Sequence, residues 1–75
     1  MVRAFILMIV RPGSEIKLSD RIKKMKNVED VDVVYGEYDL IVKVKAASMA
    51  ELQTIARKLR TLKDVEQTST MVALK

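Results

Sequence analysis

The chain has no cysteine, no histidine and no tryptophan, and its 75 residues include only two glycines and one proline. Without cysteine no disulfide can staple the fold. Without histidine or cysteine the commonest zinc ligands are missing, and so are the usual nucleophile and general base. The acids are scattered, with no loop-like spacing of metal ligands, so no metal and no cofactor is expected. Gly13 and Gly36 are the only glycines, so no phosphate-cradling glycine-rich loop can be written and no G-x-S-x-G occurs. No run approaches the roughly 20 apolar residues of a membrane span. Ala4–Val10 is only seven residues, has sparse flanking charge and is followed by no small-residue cleavage site, so it reads as a strand and not as a leader. The cytoplasm is the default location.

What is present must therefore be stabilised in another way. A single domain of this size buries only about 60% of the surface its unfolded chain exposes, which leaves a lone monomer marginal. Association is the remaining route, so an oligomer is expected from size alone. Fourteen basic against ten acidic side chains give a net charge of +4. The basic clusters Arg21, Lys23, Lys24, Lys26 and Arg57, Lys58, Arg60, Lys63 fall toward the C-terminal ends of predicted helices, where cations complement the helix dipole.

Periodicity orders the chain. Val2–Arg11 reads as a strand ended by Pro12-Gly13. Ser14 is a candidate N-cap, and Leu18, Ile22 and Met25 give an apolar stripe over Glu15–Lys26. Val28–Tyr35 and Tyr38–Ala46 are β-branched and strand-like, joined at Gly36, where positive φ costs nothing and the chain can reverse tightly. Asp39 is thereby placed at the start of the third strand. Ser48 and Glu51 form an S-x-x-E capping box before the stripe Leu52, Ile55, Ala56, Leu59, Leu62. Val65–Leu74 is the last strand. Ile22, Met25, Lys26, Asn27, Val28 and Glu29 recur 37 positions later as Leu59, Leu62, Lys63, Asp64, Val65 and Glu66. A duplicated βαβ unit in the order β-α-β-β-α-β predicts an α+β, ferredoxin-like sandwich, with a four-stranded antiparallel sheet and both helices on one face.

The first strand is apolar on both sides: Ala4, Ile6, Met8 and Val10 on one, Phe5, Leu7 and Ile9 on the other. A sheet with one solvated face should alternate apolar and polar. Phe5, Leu7 and Ile9 are therefore expected to be covered by another subunit. At about 25 cal/mol per Å² their burial contributes several kcal/mol to association. The acid pairs Asp30/Asp32 and Asp64/Glu66 read as solvated strand faces and not as acid–base catalysts. In Thr68-Ser69-Thr70 the two threonines share one strand face and Ser69 the other; β-propensity and a polar pocket explain the run equally well.

Gly36-Glu-Tyr-Asp-Leu, the second amphipathic helix and Val65-Glu-Gln-Thr-Ser-Thr-Met-Val together resemble the effector-binding RAM domain (regulation of amino acid metabolism, ACT-like) of Lrp/AsnC transcription regulators. The resemblance covers essentially the whole chain. It implies a non-enzymatic amino-acid-binding and oligomerisation module, with dimers packed sheet to sheet and assembled into rings, commonly of four dimers. It also implies effector clefts between subunits. Carried onto this chain, the ligand-binding positions are Gly36, Glu37, Tyr38 and Asp39, with Thr68, Ser69 and Thr70. Asp39 would hold the effector ammonium. Family regulators carry an N-terminal helix-turn-helix domain, whereas the first strand here follows Met1, so direct DNA binding is not expected. Co-assembly with full-length Lrp/AsnC-type regulators is the implied partnership.

Two other classes share this sandwich. A small dimeric α+β-barrel enzyme of monooxygenase type usually needs histidine, asparagine or tryptophan in a polar cleft, and this chain has one asparagine, in a turn. An RNA-binding sheet needs several exposed aromatics, and Phe5 is the only phenylalanine.

Overall fold

The computed structural model describes residues 1–74. Its elements are β1 (Val2–Val10), α1 (Glu15–Lys23), β2 (Val28–Val33), β3 (Leu40–Ala46), α2 (Met49–Arg60) and β4 (Val65–Val72). The strands form one antiparallel sheet in the order β2-β3-β1-β4, which is the ferredoxin-like topology expected from the repeat. Alternate residues of the central strands, Ala4, Ile6, Met8 and Val10 with Leu40, Val42, Val44 and Ala46, point to the helices and are buried. Val31 from β2, Leu18 and Ile22 from α1, and Leu52, Ile55 and Leu59 from α2 complete this single core. The period-2 faces of the strands meet the i, i+3, i+4 faces of the helices, so the apolar pattern of the chain closes on itself.

Both helices stop short of their apolar stripes. α1 ends at Lys23, and Met25 packs against the core from the turn that follows. Two hydrogen bonds of that turn recur 37 residues later. Met25 N–H donates to Ile22 C=O and Leu62 N–H to Leu59 C=O, and Val28 N–H donates to Met25 C=O as Val65 N–H does to Leu62 C=O. The turns hold Asn27 at φ 75° and Asp64 at φ 73°, and short polar side chains tolerate this left-handed conformation best after glycine. Asp64 is thus a turn residue facing Arg11 at 4.0 Å, and it does not share a strand face with Glu66.

Ser48 caps α2 as expected, accepting the Glu51 N–H at 3.2 Å. Glu51 Oε1 accepts the Ala47 N–H and the Asn27 side-chain amide, which also donates to Lys45 C=O at 2.9 Å. Ser14 sits at the α1 N-cap position, but its hydroxyl donates to Arg11 C=O and caps no helix N–H. Asn27 therefore ties the end of α1 to the start of α2. Asn27→Ala is expected to cost on the order of 2 kcal/mol, from left-handed strain plus the lost amide bonds. Asn27→Gly removes the strain and keeps only the second loss. Urea midpoints of the two variants check this; equal losses would mean that φ contributes nothing.

Candidate functional site

The connection between β2 and β3 is longer than a tight hairpin. β2 ends at Val33 and β3 begins at Leu40, so Tyr35, Gly36, Glu37 and Tyr38 form a loop outside both strands. Val34 N–H donates to Asp39 C=O at 2.9 Å and closes it, and Gly36 takes φ 149° within it. Asp39 stands one residue before β3 and locks the loop onto β1. Its N–H donates to Met8 C=O at 2.8 Å, and its Oδ2 accepts the Val10 N–H at 2.9 Å. Val10 lies beyond the last β1–β3 pair, Met8 with Leu40, so no β3 residue is opposite it and the carboxylate stands in for the missing ladder partner. Asp39 Oδ1 makes no hydrogen bond among the described residues, which leaves that oxygen able to accept from a ligand.

Beside this loop an open groove of about 690 Å³ runs between β2 and the first turn of α1. Its walls are Ile16, Val33, Val34, Tyr35 and Gly36, with the carboxylates of Glu15 and Asp39, and no cation lines it. Glu15 Oε1 accepts the Gly13 N–H at 2.8 Å. Glu37 is exposed and Tyr38 half-buried, and neither lines the groove. Sequence reading missed Glu15, Ile16, Val33, Val34 and Tyr35 as lining residues. Ile16 carried a usable signal: it is an apolar residue off the Leu18–Ile22–Met25 stripe, and it is 65% exposed.

The hydroxyl run lies elsewhere. Thr68 is opposite Met8, Ser69 opposite Leu7 and Thr70 opposite Ile6. Cross-strand partners share a face, so the two threonines point to the helix side and Ser69 to the open face. Thr70 lines a second groove, about 410 Å³, between α2 and β4. Leu52 and Ala56 line it with Met49 and Val72, and Arg57 and Arg60 supply its charge. β2 and β4 are the two edge strands, so the two grooves sit at opposite edges of the sheet. One chain therefore does not bring Gly36–Asp39 and Thr68–Thr70 into a common cleft.

On the open face Phe5, Leu7 and Ile9 form the central row, with Ile41 opposite Leu7 on β3 and Met71 opposite Phe5 on β4. No helix covers them. Lys43 reaches over the Phe5 ring with Nζ 6.0 Å from its centre. Asp30 is opposite Lys43 and Asp32 opposite Ile41, which puts both acids at the β2 margin of this face. Among the described residues no group of three or more metal-ligating side chains converges, and no helix is long and apolar enough to cross a membrane.

Comparison with known proteins bears on this geometry. The sequence model of the family described as the Lrp/AsnC ligand binding domain matches residues 3–75. An uncharacterized HTH-type transcriptional regulator of Pyrococcus furiosus is 38% identical over 74 residues, covering 93% of this chain and 49% of that protein. The chain thus spans about half the length of the curated regulators it matches. A hypothetical protein from Pyrococcus horikoshii superposes with TM-score 0.90 at 43% identity, over 100% of this chain and 92% of that one. The structure of FFRP-DM1 gives 0.92 at 44% identity, over 99% of this chain and 100% of that one. The same fold occurs at 23% identity, TM-score 0.78, in a feast or famine regulatory protein of M. tuberculosis solved with L-methionine, over 100% of this chain and 51% of that one. A 55-residue stretch of homocitrate synthase from Sulfolobus acidocaldarius is 38% identical, covering 73% of this chain and 12% of that enzyme.

Proposed function

The chain belongs to the Lrp/AsnC ligand-binding domain family, and on that premise we propose that it is a non-enzymatic effector-binding and oligomerisation module in the transcription regulation of amino acid metabolism. The observation that carries the reading is the pair of incomplete polar grooves at opposite edges of the sheet, one with only carboxylates and one with arginines and a threonine. Each half offers one end of a zwitterion what it needs, and the halves meet only between subunits. The methionine complex of the M. tuberculosis neighbour makes an amino acid the first ligand class to test. The homocitrate synthase match supports a sensing role: 12% of an enzyme is a small share for its chemistry but enough for an appended effector domain.

In this reading Phe5, Leu7 and Ile9 pack against the same row of a second chain, and the resulting dimers assemble further, an octameric ring being the arrangement to look for. The free oxygen of Asp39 takes the effector ammonium. Backbone N–H groups near Gly36 and the Thr68 or Thr70 hydroxyls take its carboxylate, with Glu37, Tyr38 and Ser69 at the margins. Co-assembly with full-length Lrp/AsnC-type regulators would carry the signal to DNA, and such a role places the protein in the cytoplasm.

A thermal-shift screen against the twenty amino acids is the direct test. A ligand at one hundred times its Kd adds about 2.7 kcal/mol of stability per site. The Asp39 variants then locate the site. Asp39→Asn keeps an oxygen for the Val10 N–H while losing the charge, so it is expected to stay folded and bind the effector at least about tenfold more weakly. Asp39→Ala loses both and melts lower as well. Unchanged affinity in Asp39→Asn would remove Asp39 from the ligand, and silence from all twenty amino acids would leave a module for assembly alone.

A further inference from the structure

We propose that the helix layer, on the side of the sheet away from Phe5, Leu7 and Ile9, docks on the phosphate backbone of duplex DNA through two cationic crevices related by the internal repeat. One crevice, about 90 Å³, lies between α1 and the turn after α2, and is lined by Ser14, Lys17, Leu18, Arg21, Lys63 and Asp64. The other, about 200 Å³, lies between α2 and the turn after α1, and its lining includes Lys26, Asn27, Glu51, Thr54, Ile55 and Lys58. A shift of 37 positions relates the two completely. Ser14, Lys17, Leu18 and Arg21 become Glu51, Thr54, Ile55 and Lys58, while Lys26 and Asn27 become Lys63 and Asp64. The pseudo-two-fold axis of the repeat therefore carries one crevice onto the other, with Arg21 falling on Lys58 and Lys63 on Lys26.

The cations of these crevices are not used within the chain. Among the described residues the one ion pair is Arg11–Asp64, so Lys17, Arg21, Lys26, Lys58 and Lys63 have no carboxylate within 4.0 Å. All five are exposed. The single acid of each crevice is already engaged: Asp64 faces Arg11, and Glu51 Oε1 accepts the Asn27 amide and the Ala47 N–H. The helix dipole accounts for Arg21 and Lys58, which lie in the last turns of α1 and α2. It does not account for Lys17, in the first turn of α1, where a cation opposes the dipole. Nor does it account for Lys26 and Lys63, which lie beyond the helices.

The same bias extends over the whole layer. Residues 14–27 and 48–64, the two helices with their end turns, hold nine of the 14 basic side chains and only four of the 10 acids. The strands and remaining loops carry more acids than bases, so the entire excess of +4 resides on the helix side. A one-signed face of this kind attracts a polyanion and does so in a salt-dependent way.

Chemistry and symmetry select the polyanion. The large apolar residues exposed on the helices are Ile16 and Met49, and neither lines a crevice, so the layer has no apolar wedge for an anionic bilayer. No aromatic lines either crevice, so nothing there stacks on the bases of a single strand. Phosphate contacts need only point charges, which lysines supply. A duplex has local two-fold axes that relate its two strands, and a two-fold protein surface meets them by presenting one matching contact to each strand. The contact reads no bases and is sequence-independent, because both helices lie against the sheet and neither projects to enter a groove. The layer stays outside when sheets pack face to face, so docking and assembly do not compete. That the duplex is DNA rests on the regulatory reading given above.

Fluorescence anisotropy of a labelled random-sequence DNA duplex tests the contact. With about five phosphate contacts per chain, wild-type affinity should fall about 500-fold between about 50 mM and about 200 mM salt. Lys17→Gln/Lys63→Gln and Lys26→Gln/Lys58→Gln each remove two cations from one crevice. Each pair is expected to weaken binding at least about tenfold at low salt and to lower the salt slope by about two. Arg3→Gln/Lys45→Gln makes the same charge change on the sheet, where the two residues are opposite each other, and should leave affinity within about twofold. Circular dichroism and gel filtration check that every variant keeps its fold and mass. A wild type that does not bind, crevice variants that bind like the wild type, or a sheet variant as weak as the crevice variants would each overturn the proposal. So would equally tight binding to a single strand or to an RNA duplex. The amino-acid thermal shift is read separately, because the crevices share no residue with the grooves beside Asp39 and Thr70. A shift without DNA binding sinks this proposal and leaves the effector reading standing; DNA binding without a shift does the reverse.

Discussion

Leu7→Asp is expected to abolish the proposed sheet-to-sheet dimer. Leu7 sits mid-row on the open face, opposite Ile41 on β3 and Ser69 on β4, with no helix above it. In a two-fold packing of these faces each substitution acts twice. Two leucines no longer buried lose about 1.5–3 kcal/mol each. An unpaired carboxylate in the resulting interface adds several kcal/mol more against association. The predicted outcome is a monomer at micromolar concentration with a melting point well below that of the wild type. The wild-type melting point should rise with protein concentration and that of Leu7→Asp should not. A Leu7→Asp chain that still runs as a dimer with an unchanged melt would show that this face is not the interface.

Ile6→Ala should produce a comparable loss by a different route. Ile6 is wholly buried on the helix side of the central strand, between Val42 and Thr70 of the neighbouring strands. Removing its side chain leaves a cavity that a close-packed core closes only in part, and such changes cost about 2–5 kcal/mol. Against a total stability of about 5–15 kcal/mol that is a large fraction. Because the lost contacts lie within one chain, the loss in urea unfolding should be the same at every protein concentration, unlike that of Leu7→Asp. A loss below about 1 kcal/mol would mean that the helices collapse onto the gap. Adjacent residues of one strand, Ile6 and Leu7, thus report separately on folding and on assembly.

The order of elements was legible because strands and helices impose different periods on their apolar residues. The 37-residue repeat strengthened it, and it holds down to the turn hydrogen bonds and the two left-handed residues Asn27 and Asp64. Element ends were less legible. Met25 and Leu62 continue the helical stripes in sequence but pack on the core from turns, because an apolar residue just past a helix end can still reach the same core. Asp39 was picked out for its charge next to a glycine turn. Its bond to the Val10 N–H was invisible, since that depends on how far β1 overruns β3. Arg57 and Arg60 have a sufficient local explanation at the C-terminal end of α2, and nothing in the chain order hints that they flank Thr70.

By itself the sequence determined the fold class, the face of each strand that meets the helices, the apolar row on the opposite face and the family to which the chain belongs. These follow from local spacing, which a residue shares with neighbours a few positions away. The tertiary structure decided that the groove beside the Tyr35–Asp39 loop and the groove beside Thr70 lie at the β2 and β4 edges of one sheet and that each carries one sign of charge. Those facts depend on strand order and register, set by contacts between residues more than 25 positions apart, such as Val10 with Asp39 and Ile6 with Thr70. Residues divided in this way belong to no single stretch of chain, and in the proposed reading a second chain completes the site they form.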